Sequence, residues 1–196
     1  MPFRIDQDLL DQDLLSQDVL DQPAELVQVV PEQRSQLAML VKRVVQTGFA
    51  LWALPRLLAF RLGRIVLGPR AFSAASESIA RTPGMRGVYL RQAFYKRTLS
   101  ACGDDVYFGW MSAFSMTEAR VADRAYIGRF CSLGFADIGE EVMLADGVQV
   151  LSGGQEHDRS DSVDSTIHRQ GKTYRRVRIG KGSWIGAGAV IMADVG

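Results

Sequence analysis

The order of apolar and polar positions divides the 196-residue chain into three stretches. In the first, residues 1–33, the pentapeptides DQDLL, DQDLL and SQDVL run back to back over 6–20. A period of five matches neither a helical stripe nor an alternating strand. This stretch is expected to be an acidic tail, disordered or loosely helical, or else a segment that binds a partner. Pro23 and Pro31 punctuate its end. In the second stretch, 34–103, apolar residues recur at helical steps between basic ones, as in QLAMLVKRVVQTGFALWALPRLLAFRLGRIVLG. That pattern predicts helices. From about 104 onward helical periodicity ends, and glycines and short aliphatic units take over.

The third stretch repeats. Aliphatic residues recur every sixth position: Val121, Ile127, Leu133; then Ile138, Leu144, Val150; then Ile179, Ile185, Ile191. Glycine often follows at once, as at Gly128, Gly134, Gly139, Gly180 and Gly186. A small or β-branched residue often stands four positions after the aliphatic one, as at Ala125, Cys131, Val142, Val148, Ser183 and Ala189. An ordinary strand does not need one residue type at every sixth position, whereas a triangular prism does. If each prism face takes six residues, the aliphatic side chain points inward and stacks on its equivalent in the next coil. The small residue then fits the corner, and the glycine accommodates the turn. Cys131 falls on the small inward position and is expected in the core. Between Val150 and Ile179 the period lapses over about 151–176, in the polar run SGGQEHDRSDSVDSTIHRQGKTYRRV.

The net charge of +1 conceals segregation. Residues 1–33 balance at −7, residues 34–100 at +11, and residues 101–196 at −3. No acid stands between Glu32 and Glu77. Could the basic stretch cross a membrane? Its longest charge-free run, 44–55, has twelve residues, and Gly48 and Pro55 are expected to interrupt it. A spanning helix needs about 20. Two readings stay open. In one, a helix lies in a membrane interface, with Phe49, Trp52, Leu57, Leu58 and Phe60 dipping in and Arg43, Arg56, Arg61 and Arg64 facing anionic headgroups. In the other, helices pack on the rest of the protein or on a partner subunit. A second amphipathic stretch, 88–99, carries Arg91, Lys96 and Arg97 on its polar side. No nucleic-acid-binding motif accompanies these cations, and no nucleic acid partner is expected.

Two cysteines exclude a disulfide-dense scaffold and a Cys-rich zinc module. Two histidines, His157 and His168, exclude a three-histidine site built by one chain. The first twenty residues are acidic and lack the basic and apolar regions of a signal peptide. The compartment is read as cytoplasmic, with peripheral contact at the inner face of the membrane as an option.

The repeats, above all IGKGSWIGAGAVIMADVG over 179–196, resemble those of hexapeptide-repeat acyltransferases. The resemblance covers about 104–196 and implies a mainly β fold, a left-handed parallel β-helix, here preceded by an α-helical N-terminal region. Within that family the chain looks most like the galactoside, maltose and xenobiotic O-acetyltransferase group, in which a long loop interrupts the helix and opens on a catalytic histidine. The 151–176 interruption opens on SGGQEH, so the resemblance puts His157 in that slot.

The implied activity is acyl transfer, with acetyl the expected group, from acyl-CoA to a hydroxyl of a saccharide or glycan precursor. Acetyl-CoA is then the co-substrate, with no metal. A neutral imidazole suits the removal of the hydroxyl proton during attack, so His157 is the expected general base in a direct transfer without an acyl-enzyme. Glu156 and Asp158 flank it and are candidates to orient its ring. Trp184 matches a family tryptophan near the active site. Gly186 and Ala187 match positions where the pantetheine arm passes the backbone, or else serve only corner geometry. For the basic stretch, Arg56, Arg61, Arg64 and Trp52 are the expected membrane contacts. The resemblance also implies a homotrimer.

Two departures temper the resemblance. The sequence stops at Gly196 in mid-repeat, where the family continues for further coils, so the β-helix is expected to be C-terminally incomplete. No asparagine occurs anywhere, although sugar acetyltransferases of this group often place one near the acceptor. A non-catalytic scaffold or binding module is the main alternative. A γ-type carbonic anhydrase is less favoured, because its three-histidine zinc site has only two histidines to draw on.

Overall fold

The computed structural model of the protein describes residues 36–153 and 173–193. Among the described residues three helices come first: α1 (Gln36–Leu67), α2 (Arg70–Ala80) and α3 (Gly84–Thr98). Short strands follow: β1 (Ala101–Cys102), β2 (Tyr107–Phe108), β3 (Ala113–Phe114), β4 (Arg120–Val121), β5 (Tyr126–Ile127), β6 (Ser132–Leu133), β7 (Ala136–Ile138), β8 (Met143–Leu144), β9 (Gln149–Leu151), β10 (Val177–Ile179), β11 (Trp184–Ile185) and β12 (Val190–Met192). Among the described residues, the β character is confined to the part after Ser100, and the part from Gln36 to Thr98 is helical.

Helix α1 runs unbroken through Gly48 and Pro55, which were expected to interrupt it. A proline inside a helix costs about 3 kcal/mol through its missing N–H and its ring. Packing offsets that cost. Pro55 stands on the exposed side of α1, while Ala53, Leu57 and Phe60 are buried on the other. Leu57 and Phe60 therefore belong to the core and do not dip into a membrane. The Phe60 ring meets those of Phe72 and Phe94 at 5.9 Å each. The helix stops where Gly68 takes a left-handed φ of +58° and its N–H donates to Arg64 O at 3.0 Å. Pro69 then leads into α2.

Arg91 departs most sharply from its expected place on a polar face. It is fully buried on α3. Its Nε donates to Phe108 O at 3.0 Å, and its Nη1 donates to Thr82 O at 2.8 Å and Ala80 O at 3.3 Å. A helix leaves its last carbonyls without intrahelical donors. The guanidinium satisfies those at the end of α2 and one on the strand region at once. Lys96 keeps to the exposed side, 2.8 Å from Asp104.

Each strand pairs in parallel with the third strand after it in the chain. The first sheet has the order β1-β4-β7-β10, the second β2-β5-β8-β11 and the third β3-β6-β9-β12. The chain therefore visits the three sheets in fixed rotation, and the strands stack in four levels, β1–β3, β4–β6, β7–β9 and β10–β12. In the middle two levels the aliphatic column is buried: Val121, Ile127, Leu133, Ile138, Leu144 and Val150 are all 2% exposed or less. Cys131 is buried among them, as expected. Ile185 and Ile191 in the last level are only partly buried.

The six-residue column begins one level earlier than the aliphatic pattern suggested, with Cys102, Phe108 and Phe114. Aromatic side chains replace aliphatic ones there because the helices must be met. Tyr95 of α3 packs against Phe108 at 4.8 Å and Phe114 at 5.0 Å. Ser76 Oγ of α2 is hydrogen-bonded to Tyr95 Oη at 2.8 Å and accepts the Phe114 N–H at 2.9 Å. The helices thus cover the first level, whose backbone edge would otherwise be open. Among the described residues no helix is long and apolar enough to cross a membrane.

Two of the three corners use a left-handed residue at a fixed place. Asp105, Arg124 and Glu141 take it at the first corner, and Met111 and Phe130 at the second, all with φ near +60°. Glycine takes the same places higher up, as at Gly147, Gly182 and Gly188. A non-glycine residue pays roughly 1 kcal/mol for this conformation, so the repeated geometry, and not local preference, sets these turns.

Candidate functional site

The last level carries the residues expected to meet an acyl donor. Trp184 is the outward residue of β11, with 74% of its surface exposed. Its register partners across the second sheet are Met143, Tyr126 and Tyr107. The outer face of that sheet is thus a column of large flat or flexible side chains, and Tyr107 and Tyr126 stack at 4.7 Å with 4° between their planes. Apolar and aromatic surface of this kind suits a flat or extended ligand.

Gly186 and Ala187 follow in the corner after β11. The glycines of lower levels are forced: a Cβ on Gly128 would lie 2.6 Å from Ala145 C and 2.7 Å from Asp146 N of the next level. A Cβ built on Gly186 meets nothing within 4 Å. Among the described residues, packing therefore does not require glycine at 186, and its bare backbone is open to an approaching group. The structure brings Trp184, Gly186 and Ala187 together on one strand and its turn.

The interruption of the repeat leaves from the third corner. Arg175 N–H donates to Ser152 O at 2.8 Å, and Val177 N–H donates to Phe135 O at 2.9 Å, so the base of the segment is clamped. The Arg176 guanidinium lies 4.0 Å from the centre of the Phe135 ring and is ion-paired with Asp137. Glu156, His157, Asp158 and His168 lie outside the described residues.

Beside this base the sequence reading missed a cleft. Two adjoining cavities, of about 420 and 550 Å³, share Pro69, Ser115, Met116 and Tyr174. Arg64 and Phe60 of α1 line the first, and Arg70 of α2 and Ser152 line the second. Arg64 thus faces a cleft as well as solvent. Tyr174 and Ser152 bracket the lapse in the period, which was a usable signal. Nothing in the sequence pointed to the end of α1 meeting the same corner.

The other expected membrane contacts lie farther along α1. Arg56 stacks its guanidinium over the Trp52 ring at 4.5 Å, and Arg61 is exposed. A third cavity, about 440 Å³, lies between α1, α3 and the first level, lined by Arg43, Lys96, Arg97, Cys102 and Asp104 among others.

Nucleophilic sulfur is not on offer at neutral pH. Burial pushes the Cys102 thiol up to about 11, and burial also raises that of Cys131. The thiolate, and not the thiol, attacks. Among the described residues no three His, Cys, Asp or Glu side chains are grouped to hold a metal ion. No family model, no curated protein and no solved structure matches this chain.

Proposed function

We propose that the three rotating sheets form a left-handed parallel β-helix and that the chain is a coenzyme A-dependent O-acyltransferase acting on a hydroxyl of a saccharide or glycan precursor. The observation that carries this reading is the pairing of a recurring six-residue repeat with a single long interruption that opens on SGGQEH, whose base is clamped at a corner beside a cleft. Such a repeat needs no interruption for stability, so a segment of this length is a functional addition.

In this reading the His157 imidazole takes the proton from the acceptor hydroxyl as its oxygen attacks the thioester carbonyl. The new C–O bond forms, the C–S bond breaks, and the imidazolium returns the proton to the leaving thiolate. The products are the ester and free coenzyme A thiol. Holding donor and acceptor in line supplies the rest of the rate. Glu156 or Asp158 orients the ring. The open backbone at Gly186 and Ala187, with Trp184 beside it, receives the pantetheine arm. Both raised cysteine thiols support direct transfer over a cysteine acyl-enzyme. A homotrimer, with donor sites between subunits, belongs to the same proposal.

The test is thiol release from acetyl-CoA with a mixed pool of sugars and glycans, comparing the parent chain with His157→Ala. Acceptor-dependent release that falls by about 100-fold or more in the variant is expected. Release that survives the substitution would overturn the role of His157. No release from the parent chain would overturn the activity and favour a binding module.

A further inference from the structure

Among the described residues, helix α1 buries one face and leaves the other uncovered. Ala53, Leu57 and Phe60 enter the core. On the far side Val44, Leu51, Leu58, Leu62 and Ile65 follow at steps of seven, seven, four and three residues, which holds them on one stripe. Each is between 57% and 82% exposed. At about 1.5 Å per residue the stripe runs for roughly 30 Å. Scattered exposed leucines are ordinary, but a continuous stripe this long marks a contact surface.

Charge selects the occupant. Helix α1 carries Lys42, Arg43, Arg56, Arg61 and Arg64 and no acid. Among the described residues, only Lys42 of these has an ion-pair partner, Asp105. Arg43 and Arg61 are exposed, and Arg56 is stacked on Trp52, itself 42% exposed. Cations and a tryptophan beside an apolar stripe are the arrangement that sits at a headgroup boundary. Five cations and too little length of apolar run keep the helix from spanning. A second copy of α1 laid on the stripe would set cations against cations with no acid on either helix.

We propose that α1 lies in the plane of an anionic lipid surface, with the Leu51–Leu58–Ile65 side in the acyl boundary and the flanking arginines on the headgroups. Of the residues the sequence suggested for insertion, Leu58 stays on this side, while Leu57 and Phe60 are committed to the core. The proposal is independent of the acyltransferase reading.

The experiment uses the full chain and sedimentation with vesicles of phosphatidylglycerol mixed with phosphatidylcholine, against phosphatidylcholine alone. Partition onto the anionic vesicles, weakened by salt, is expected. Leu58→Asp with Leu62→Asp, and separately Arg56→Glu with Arg61→Glu, should each lower it by about tenfold or more. Thermal melts and mass in solution are measured on the same samples. Quenching by brominated lipid, taken as the difference between the parent and Trp52→Phe, reports insertion beside the stripe. Absence of partition by the parent chain overturns the proposal, as does equal partition by the folded aspartate variant. Dissociation of an oligomer by that variant, with no vesicle binding by the parent, overturns it in favour of a contact between copies.

Discussion

Among the described residues, the first and last levels of the strand stack share one repeat and are packed to different degrees. The first level turns Phe108 and Phe114 inward, Tyr95 and Arg91 of α3 close over them, and Phe94 packs against Tyr95. All five side chains are 2% exposed or less. The last level turns Ile185 and Ile191 inward, yet both are only partly buried, and Trp184, Val190 and Met192 are exposed outside. The same six-residue period thus supports a sealed, aromatic, hydrogen-bonded level and an open, aliphatic one. The difference teaches where to look for each role. Residues at the sealed level answer to folding. In the last level Val177 and Ile179 still answer to the core, while Trp184, Gly186 and Val190 meet little packing among the described residues.

Truncation should break the two levels unequally. Phe108→Ala removes a fully buried ring that meets Tyr95 and Phe114, and a loss of about 3–5 kcal/mol in denaturant unfolding is expected. Ile185→Ala removes a half-buried side chain at the same place in the repeat, and about 1 kcal/mol is expected. Equal losses would mean that the last level is as firmly packed as the first, and the contrast would fail.

Alkaline pH gives a second probe of the sealed level. Burial raises the Tyr95 hydroxyl to about 12 from an ordinary value of 10, against smaller opposing effects of the Ser76 hydrogen bond and the nearby Arg91 charge. The folded state therefore holds its proton after the unfolded chain has lost it. The resulting stability is fully present below pH 10 and is lost as pH rises toward 12, by about 2–3 kcal/mol. Unfolding free energies measured across that window should fall less steeply in Tyr95→Phe. An unchanged slope would show that Tyr95 is accessible to hydroxide in the folded protein.

Much of this contrast was legible in the residues, and the exceptions have physical causes. The inward column was readable wherever it was aliphatic, from Val121 to Ile191, because a period of six over several levels has no other economical explanation. Its first level escaped notice because Phe108 and Phe114 answer to the helices above them. Arg91 was misread because charge alone suggests exposure, and only the fold brings the carbonyls of Ala80, Thr82 and Phe108 to one point. Leu57 and Phe60 were assigned to the wrong face of α1, since apolar residues lie all around much of that helix and the core takes only one side. Trp184 and Gly186 were marked by motif. The cleft at Tyr174, Met116 and Arg64 was not, because it joins a helix end to a corner distant in the chain.

The finest test compares two glycines at equivalent places in the repeat. Gly128 and Gly186 both follow an inward isoleucine at the second corner. At Gly128 an added methyl would press on the backbone of Ala145 and Asp146, so Gly128→Ala should cost about 1–3 kcal/mol. Backbone cannot yield as the tip of a side chain can. Gly186→Ala meets no atom within 4 Å, and its unfolding free energy should stay within about 0.5 kcal/mol of the parent. Acetyl-CoA binding, followed by calorimetry, is expected to behave the other way. It should weaken in the folded Gly186→Ala protein, because the methyl occupies the space beside the bare backbone where the pantetheine arm is proposed to pass. Unchanged stability with unchanged binding would leave Gly186 without a part in donor recognition, and Trp184 would then carry that assignment alone. A stability loss as large as that of Gly128→Ala would show that something packs on the last level after all, which removes the contrast between the two ends at the residue where it is sharpest.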